Sequence, residues 1–284
     1  MVSMLIKQFE KVVRTENSAF RYLKKLCRKN THKICTRCNS RKISKLYDGR
    51  YRCRRCKYSF RDFTGRWLSF TKLSAKQWLW LMKLFSLEIS TRKIAKELEL
   101  NYQTTLNAID VVRKSIIAHG KEHVASGNVE LDEAYFGGKR KGNRGRGAGG
   151  KVPVFGILER NGKVSVNIVP DVSGETLLSL TVKKVKRGSI VYTDKWKSYD
   201  ALMFCGYKHL KLDHDRRFSR GKVHINGMEG FWSYAKERLA KHHGVSPKKF
   251  PLYIKEQEFR YNNKDKDIFE ILLNYVTDLV PKVV

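Results

Sequence analysis

Acidic residues are scarce in this chain. Twenty-seven Asp and Glu face fifty-nine Lys and Arg over 284 residues, a formal net charge of +32. Self-repulsion on that scale costs stability, so the imbalance points to a polyanionic partner, with nucleic acid the natural candidate. Long apolar runs are lacking too. No stretch approaches the roughly 18 residues that suggest a membrane-spanning helix, so no membrane partner is expected. The N-terminal segment M-V-S-M-L-I-K-Q-F-E-K has no long apolar centre of the kind found in a signal peptide, and a cytoplasmic, nucleoid-associated location is expected. A hydrophobic content of 41% with 11% aromatics excludes a disordered chain. The length leaves room for one ordinary core plus small accessory modules.

The positive charge is clustered, as a nucleic-acid footprint would be. From Arg21 to Arg61 there are sixteen Lys and Arg and one acid, Asp48. A second cluster, residues 137 to 151, holds six basic residues, seven glycines and no acid. Its side chains Lys139, Arg140, Lys141, Arg144 and Arg146 suit a phosphate backbone, because a glycine-rich loop cannot present them in one fixed arrangement for reading bases. A plain solvated hairpin tip is the alternative.

Cysteine is sparse and unevenly placed. Four of the six residues form two C-x-x-C pairs, Cys35 with Cys38 and Cys53 with Cys56, fourteen residues apart. Two tight knuckles facing each other bring four thiolates onto one tetrahedral zinc, and with all four positions protein-supplied the ion is structural. Disulfides are disfavoured in a reducing compartment. Asp48-Gly49 between the pairs is a hairpin turn signal, with Lys45–Tyr47 and Arg50–Arg52 as short strands. Cys27 and Cys205 lack partners at ligand spacing and read as small buried residues.

Residues 4 to 27 carry a weak helical pattern. Ser74 can cap a helix bearing Trp78, Leu81, Met82 and Phe85, and Ser90 or Thr91 a short helix bearing Ile94, Ala95 and Leu98. A turn at 99–101 leads to a second helix with Leu106, Ile109 and Val112, which is helix-turn-helix spacing. Asn101, Tyr102, Gln103, Thr104 and Asn107 would lie near the start of that second helix, where base edges or phosphates could be touched. An ordinary helical hairpin is the competing reading.

Beyond residue 128 the texture changes to α/β. Strands are expected at 129–136, 152–159 and 163–169, with Asn161-Gly162 as a tight turn between the last two. A helix at 173–186, a strand at 190–193, a helix near 198–204 and a strand at 207–212 follow. The stretch His224–His243 reads as an amphipathic helix in which Met228, Phe231, Trp232, Ala235 and Leu239 share a buried stripe. Trp232 reads as core more than as a stacking platform. Further helices are expected at 247–263 and 266–280. Asp132 and Asp194 each end a strand, and Glu229 lies on an edge of the amphipathic helix with Lys236 two turns further along the same edge. Three acids converging would repel each other without cations. Mg²⁺ or Mn²⁺ suits such oxygen ligands, and a pair of ions about 3.5–4 Å apart activates a water or hydroxyl and stabilises a leaving oxygen. Lys236 could then contact a phosphate. Glu133 follows Asp132 on a strand and should point to the other face. Asn226, one turn before Glu229, is either a helix cap or a metal or DNA contact.

The motifs V-E-L-D-E-A-Y-F-G-G-K, V-Y-T-D with Tyr199, H-I-N-G-M-E-G-F-W-S-Y-A-K, and E-F-R-Y-N at 258–262 together resemble insertion-sequence transposases of the ISXO and Merlin type, over about residues 33 to 263. Thirty-four residues separate Asp194 from Glu229, and a lysine follows seven residues after the acid, as in DDE enzymes. The resemblance implies an α/β chain with a ribonuclease-H-like mixed sheet and flanking helices, preceded by an N-terminal zinc ribbon and a helix-turn-helix-like region. The corresponding segments are 1–32 (helical lead-in), 33–66 (ribbon), 67–120 (helix-turn-helix-like), 128–263 (catalytic) and 264–284 (C-terminal helix). It implies Asp132, Asp194 and Glu229 as ligands of two catalytic Mg²⁺ or Mn²⁺ ions, and Cys35, Cys38, Cys53 and Cys56 as ligands of a structural Zn²⁺. Some relatives carry Asn as the third catalytic residue, which keeps Asn226 as a rival to Glu229. The activity implied is binding of terminal inverted repeats, cleavage at the 3′ ends and joining to target DNA, by a homo-oligomer on the DNA ends. A DNA-binding regulator with a decayed or repurposed core is the rival class, and the intact acids and Lys236 speak against it.

Overall fold

The computed structural model describes residues 4–30, 34–137, 151–194, 205–212, 225–242 and 244–281. Two compact units result, one formed by Met1–Gly120 together with Asn263–Val284 and the other by Lys121–Asn262.

In the first unit the weak helical pattern resolves into two helices, α1 (Ile6–Val13) and α2 (Glu16–Asn30). Thr15 and Ser18 explain the break. Each hydroxyl accepts the other residue's backbone N–H at 3.1 Å, so the start of α2 is satisfied locally. Three short antiparallel strands follow, β1 (Ile43–Lys45), β2 (Tyr51–Cys53) and β3 (Ser59–Phe60). The Asp48-Gly49 turn forms as its dipeptide suggests: Gly49 has φ 80° and Asp48 Oδ1 accepts the N–H of Arg50 at 3.0 Å. The flanking strands lie one to two residues further from the turn than their residue types suggested, and β3, only two residues long, gave no sequence signal.

Helices α3 (Ala75–Ser86), α4 (Thr91–Glu97) and α5 (Tyr102–His119) are capped by Ser74, Ser90 and Asn101, whose side chains accept from the N–H groups of Gln77, Lys93 and Gln103. Glu16 of α2 adds to the α3 cap, accepting from Ala75 N–H at 2.6 Å and Lys76 N–H at 3.1 Å. A carboxylate at a helix N-terminus also complements the dipole. α4 ends in a Schellman motif, with Leu100 N–H bonded to the Ala95 carbonyl and Glu99 N–H to that of Lys96, Glu99 taking φ 52°. The apolar stripes of α3 and α5 close a core with the last helix of the chain, Ile268–Thr277, through Trp78, Met82, Ile109, Val112, Phe269 and Leu272. That C-terminal helix belongs to the same unit as the N-terminal helices.

The second unit is built on a five-stranded sheet. Its elements in chain order are β4 (Asn128–Phe136), β5 (Val152–Glu159), β6 (Val164–Ile168), α6 (Gly174–Lys184), β7 (Ile190–Asp194), β8 (Lys208–Leu212), α7 (Asn226–Ala240) and α8 (Phe250–Asn262). The order across the sheet is β6-β5-β4-β7-β8, with β4, β5 and β6 antiparallel and β7 and β8 parallel to β4. That order and those directions are the ribonuclease-H-like arrangement. Alternation along β4 divides the core in two. Val129 and Leu131 join Leu177 of α6 on one face, while Ala134 and Phe136 join Met228, Phe231 and Trp232 of α7 on the other. The helix expected near 198–204 lies outside the described residues.

The free side of β6 would present an open edge. α8 covers it with side chains: Asn262 accepts from Val164 N–H and donates to the Val164 carbonyl, both at 2.8 Å, and Glu258 accepts from Val166 N–H at 2.8 Å. Glu258 and Asn262 are the first and last residues of E-F-R-Y-N. Between them Arg260 pairs with Glu256 at 2.8 Å, both buried, and Tyr261 packs edge-on against Phe231. This motif therefore builds the fold.

Candidate active site and metal centre

The four paired cysteines converge. The sulfurs of Cys35, Cys38, Cys53 and Cys56 all lie within 4.8 Å of one another, with Cys35 to Cys56 at 3.5 Å and Cys38 to Cys53 at 3.6 Å. Four sulfurs about 2.3 Å from one tetrahedral zinc would stand roughly 3.8 Å apart, so the set fits the ion. Each knuckle is closed by a residue in left-handed backbone conformation, Asn39 at φ 55° and Lys57 at φ 61°. Their N–H groups return to the carbonyls of Cys35 and Cys53 at 2.9 and 3.0 Å. The Cys53 thiol is lowered to about 6, first by the N–H of Cys56 and further by the N–H of Arg55 and by Cys38 and Cys56. A thiolate-favouring site is what zinc requires. Cys27 is buried and its thiol is pushed up to about 11 by that burial, in keeping with a core residue.

The three acids share one face of the second unit. β4 and β7 are parallel neighbours with Glu130 opposite Tyr192. Two residues further along each strand, just past the end of this ladder, are Asp132 and Asp194, on the same face by strand alternation. α7 packs on that face, and Glu229 is exposed in its first turn. The Asp132 carboxyl is raised to about 6, mainly by burial; Asp194 and Glu229 add to the rise, while the Glu133 N–H and the Trp232 indole oppose it. The charges of all three acids are therefore felt at one point. Among the described residues the cysteines alone form a cluster tight enough to share one ion. A donor set of three carboxylates on one face fits divalent cations, which prefer oxygen ligands.

Trp232 is core, 4% exposed, and its indole N–H donates to Asp132 Oδ2 at 3.1 Å, fixing that carboxylate. The contact needs a glycine opposite. Gly156 pairs with Asp132 across β4 and β5, and a Cβ there would overlap Met228 and lie 2.6 Å from the Trp232 ring. Asn226 is exposed and begins α7 as its first helical residue, so it is not the cap. The cap comes from elsewhere: Glu130, missed in reading the sequence, accepts the Met228 N–H at 3.0 Å. Its signal was a glutamate two residues before Asp132, where the alternation demands a buried side chain. Glu133 points to the opposite face from Asp132, as expected from strand alternation. Lys236 is exposed on α7.

On α5, Tyr102, Gln103 and Asn107 are exposed, and Gln103 Nε2 donates to Asn107 Oδ1 at 2.8 Å. Thr104 is half-buried. The basic residues Lys139, Arg140, Lys141, Arg144 and Arg146 lie outside the described residues.

Sheet order, acid placement and the cysteine cluster define a ribonuclease-H-like α/β protein with an N-terminal zinc ribbon. The ISXO2-like transposase domain family matches residues 124–262, and the transposase zinc-ribbon domain family matches residues 14–59. An uncharacterised transposase-like protein of Haemophilus influenzae is 42% identical over 103 residues, 36% of this chain and 84% of that protein. An uncharacterised protein in transposable element ISH50 of Halobacterium salinarum is 28% identical over 233 residues, 74% of this chain and 78% of that protein. Among solved structures, the catalytic core domain of BIV integrase is similar at 13% identity and a TM-score of 0.33, covering 52% of this chain and 95% of its own. A pre-cleavage Mos1 transpososome is similar at 12% identity and a TM-score of 0.32, covering 69% and 74%. The chain belongs to the ISXO2-like transposase family. No described helix is long and apolar enough to cross a membrane.

Proposed function

We propose that this transposase binds the terminal inverted repeats of its own element, cuts their 3′ ends by hydrolysis and joins those ends to target DNA. The observation that supports this reading is the register of β4 and β7, with Glu130 opposite Tyr192, so that Asp132 and Asp194 follow two residues on along neighbouring strands, and both Asp194 and Glu229 act on the Asp132 carboxyl. These three carboxylates would hold two Mg²⁺ or Mn²⁺ ions, which when bound supply Lewis-acid activation of the attacking oxygen and stabilisation of the leaving one. Trp232 holds Asp132 in one orientation. Glu229, in the first turn of a helix whose N-terminus is satisfied by Glu130, is kept at a fixed height above the strands. Lys236 neutralises a backbone phosphate two turns along α7, positioning the DNA end. In hydrolysis the water oxygen forms the new P–O bond, the 3′ oxygen leaves and takes up a proton; in joining, that 3′-hydroxyl attacks a target phosphodiester and displaces its 3′ oxygen. Both steps are phosphoryl transfers, in which positioning and electrostatics supply most of the rate.

End recognition falls to the first unit. Tyr102, Gln103 and Asn107 on α5 offer base-edge contacts; from the second unit, the basic residues around Arg144 and Arg146 and, separately, Asn226 would add sequence-independent DNA contacts. The protein acts as a homo-oligomer, one active site per DNA end. The deciding experiment is cleavage and strand joining on a repeat-bearing duplex with Mg²⁺ or Mn²⁺. The parent should cut and join, and Asp132→Asn, Asp194→Asn and Glu229→Gln should each lose both by orders of magnitude while still binding DNA. Normal cutting by Glu229→Gln with loss in Asn226→Ala would make Asn226 the third ligand. Parent-like cutting by all of them would mean that the triad is wrong, and no cutting by the parent would favour a DNA-binding regulator.

A further inference from the structure

Glu130 is 1% exposed, and a buried carboxylate is costly unless it is paired and hydrogen-bonded. Its two oxygens are both engaged. Oε2 accepts the Met228 N–H at 3.0 Å, at the start of α7, and Oε1 accepts from Arg160 Nε at 2.8 Å. Arg160 follows β5, its own N–H returning to the Asn128 carbonyl at 2.9 Å. Its guanidinium lies over the ring of Tyr192, 3.7 Å from the centroid, and the Tyr192 hydroxyl donates to Asn128 Oδ1 at 3.0 Å. The helix approaches this closely because residue 227 is glycine; a Cβ there would lie 2.8 Å from Glu130 Oε2 and 2.5 Å from Leu158.

Three members of this assembly stand within two residues of the three acids. Glu130 precedes Asp132 by two residues on the same face of β4. Tyr192 precedes Asp194 by two on the same face of β7. Met228 precedes Glu229 by one on α7. One ion pair thus joins the three elements that carry the acids, one layer beneath them. We propose that Glu130 and Arg160 are positioning residues that set the spacing of Asp132, Asp194 and Glu229 for divalent-cation binding, an inference that rests on the active-site reading above. A strand register fixes two acids relative to each other; α7 is held to the sheet by its core stripe and by the Trp232–Asp132 bond, which leave its first turn, where Glu229 sits, to be anchored separately. The Glu130–Met228 bond anchors that turn, and Arg160 orients the buried carboxylate while stacking on the neighbouring strand.

The test uses the full chain and the variants Glu130→Gln and Arg160→Lys. The first keeps an acceptor for Met228 N–H without charge; the second keeps charge without the planar stack on Tyr192. Three readouts are needed: near-ultraviolet circular dichroism, Mn²⁺ affinity by calorimetry in the absence of DNA, and the kcat and KM of end cleavage. Outer partners of metal ligands typically contribute about 10–100-fold to metal affinity or activity. Both variants should fold and bind repeat DNA with parent KM, yet lose Mn²⁺ affinity and kcat within that range, with kcat partly recovered at high Mn²⁺. Folded variants with parent affinity and kcat would overturn the proposal. Loss of the native spectrum in both would also overturn it, by making the pair a requirement of folding. Asp132→Asn run in parallel separates the two readings. If the parent itself neither binds Mn²⁺ nor cuts, the active-site reading fails and the positioning role goes with it; if the parent cuts and Asp132→Asn does not, only the positioning role is on trial.

Discussion

The thiol cluster and the acid cluster solve the same problem in opposite ways. The four thiols come from a short run, Cys35 to Cys56, and meet within 4.8 Å with every ligand position filled. The three carboxylates come from β4, β7 and α7, share a face, and stay apart. The first is a closed site whose geometry is made by local backbone: two knuckles, each with a left-handed residue and a returning N–H. The second is an open site whose geometry is made by the sheet register and by one buried ion pair. A closed site can contribute folding free energy directly, while an open one leaves room for water and phosphate.

The largest expected effect breaks the closed site. With a core of little more than Tyr51 and Phe60 around the cysteines, the ribbon depends on its ion. Structural zinc in small modules contributes about 10–16 kcal/mol of apparent binding free energy at neutral pH. The purified protein should hold one zinc per chain, and Cys53→Ser should release it and unfold the ribbon. Metal analysis together with proteolysis between residues 34 and 66 checks this; a Cys53→Ser chain that keeps its zinc and resists cleavage there would refute it.

The open site should respond in the opposite direction. Burial and the neighbouring acids raise Asp132 to about 6, above its unfolded value of 3.8. A group raised in this way contributes stability that is fully present below the unfolded pKa and is lost as pH rises through the folded one. At pH 7 the ionised Asp132 is therefore a burden on the metal-free protein, worth up to ~3 kcal/mol, since each tenfold loss of acidity corresponds to about 1.4 kcal/mol. Asp132→Asn keeps an acceptor for the Trp232 indole and removes the charge. In chelator it should melt higher than the parent above pH 6, with the difference shrinking toward pH 4. Adding saturating Mn²⁺ should reverse the order, because only the parent gains from ligand binding. A parent that melts higher than Asp132→Asn in chelator at pH 7 would show that the site does not carry this strain.

Much of this contrast was legible in the sequence because the thiol spacing is local, and strand ends and helix edges announce the acids. What the sequence hid depends on contacts between distant residues. Glu130 looked like one more strand residue, since its partner Met228 lies 98 positions away. Glu258 and Asn262 carried a family motif, but their work on the β6 edge needs the sheet order to be seen. The C-terminal helix read as a free-standing segment, and nothing in its own apolar stripe says that α2, α3 and α5 are what it packs against. Asn226 could be read as a cap or as a metal or DNA contact; the capping role falls to a strand carboxylate, Glu130.

A smaller effect sharpens the picture of how the open site is held. Gly156 faces α7 without a side chain, and a methyl there would overlap Met228 and Trp232. Overpacking of this kind costs about 1–3 kcal/mol. Gly156→Ala should lower the melting transition by that much and displace Trp232 from Asp132, which its fluorescence would report. Cleavage should fall more than repeat binding, because only the second unit is disturbed. An equal loss of both would mean that the α7 contact also matters for recognition.

The smallest effect compares the two kinds of turn. Glu99 between α4 and α5 and Lys57 in the second zinc knuckle take nearly the same backbone conformation, φ 52° and 61°. Left-handed backbone disfavours a side chain by about 1–2 kcal/mol, and glycine gives part of that back as extra freedom in the unfolded chain. Glu99→Gly should therefore stabilise the first unit by roughly 0.5–1 kcal/mol, leaving the Schellman bonds to Ala95 and Lys96 in place. Lys57→Gly should give a similar gain in the zinc-loaded protein. It should give none once the ion is removed, because without the ion the knuckle no longer holds the residue in that conformation. Thermal unfolding of both variants with and without a zinc chelator makes the distinction. A Lys57→Gly gain that survives zinc removal would mean that backbone alone shapes the knuckle, and that the thiols are preset for the ion and not gathered by it.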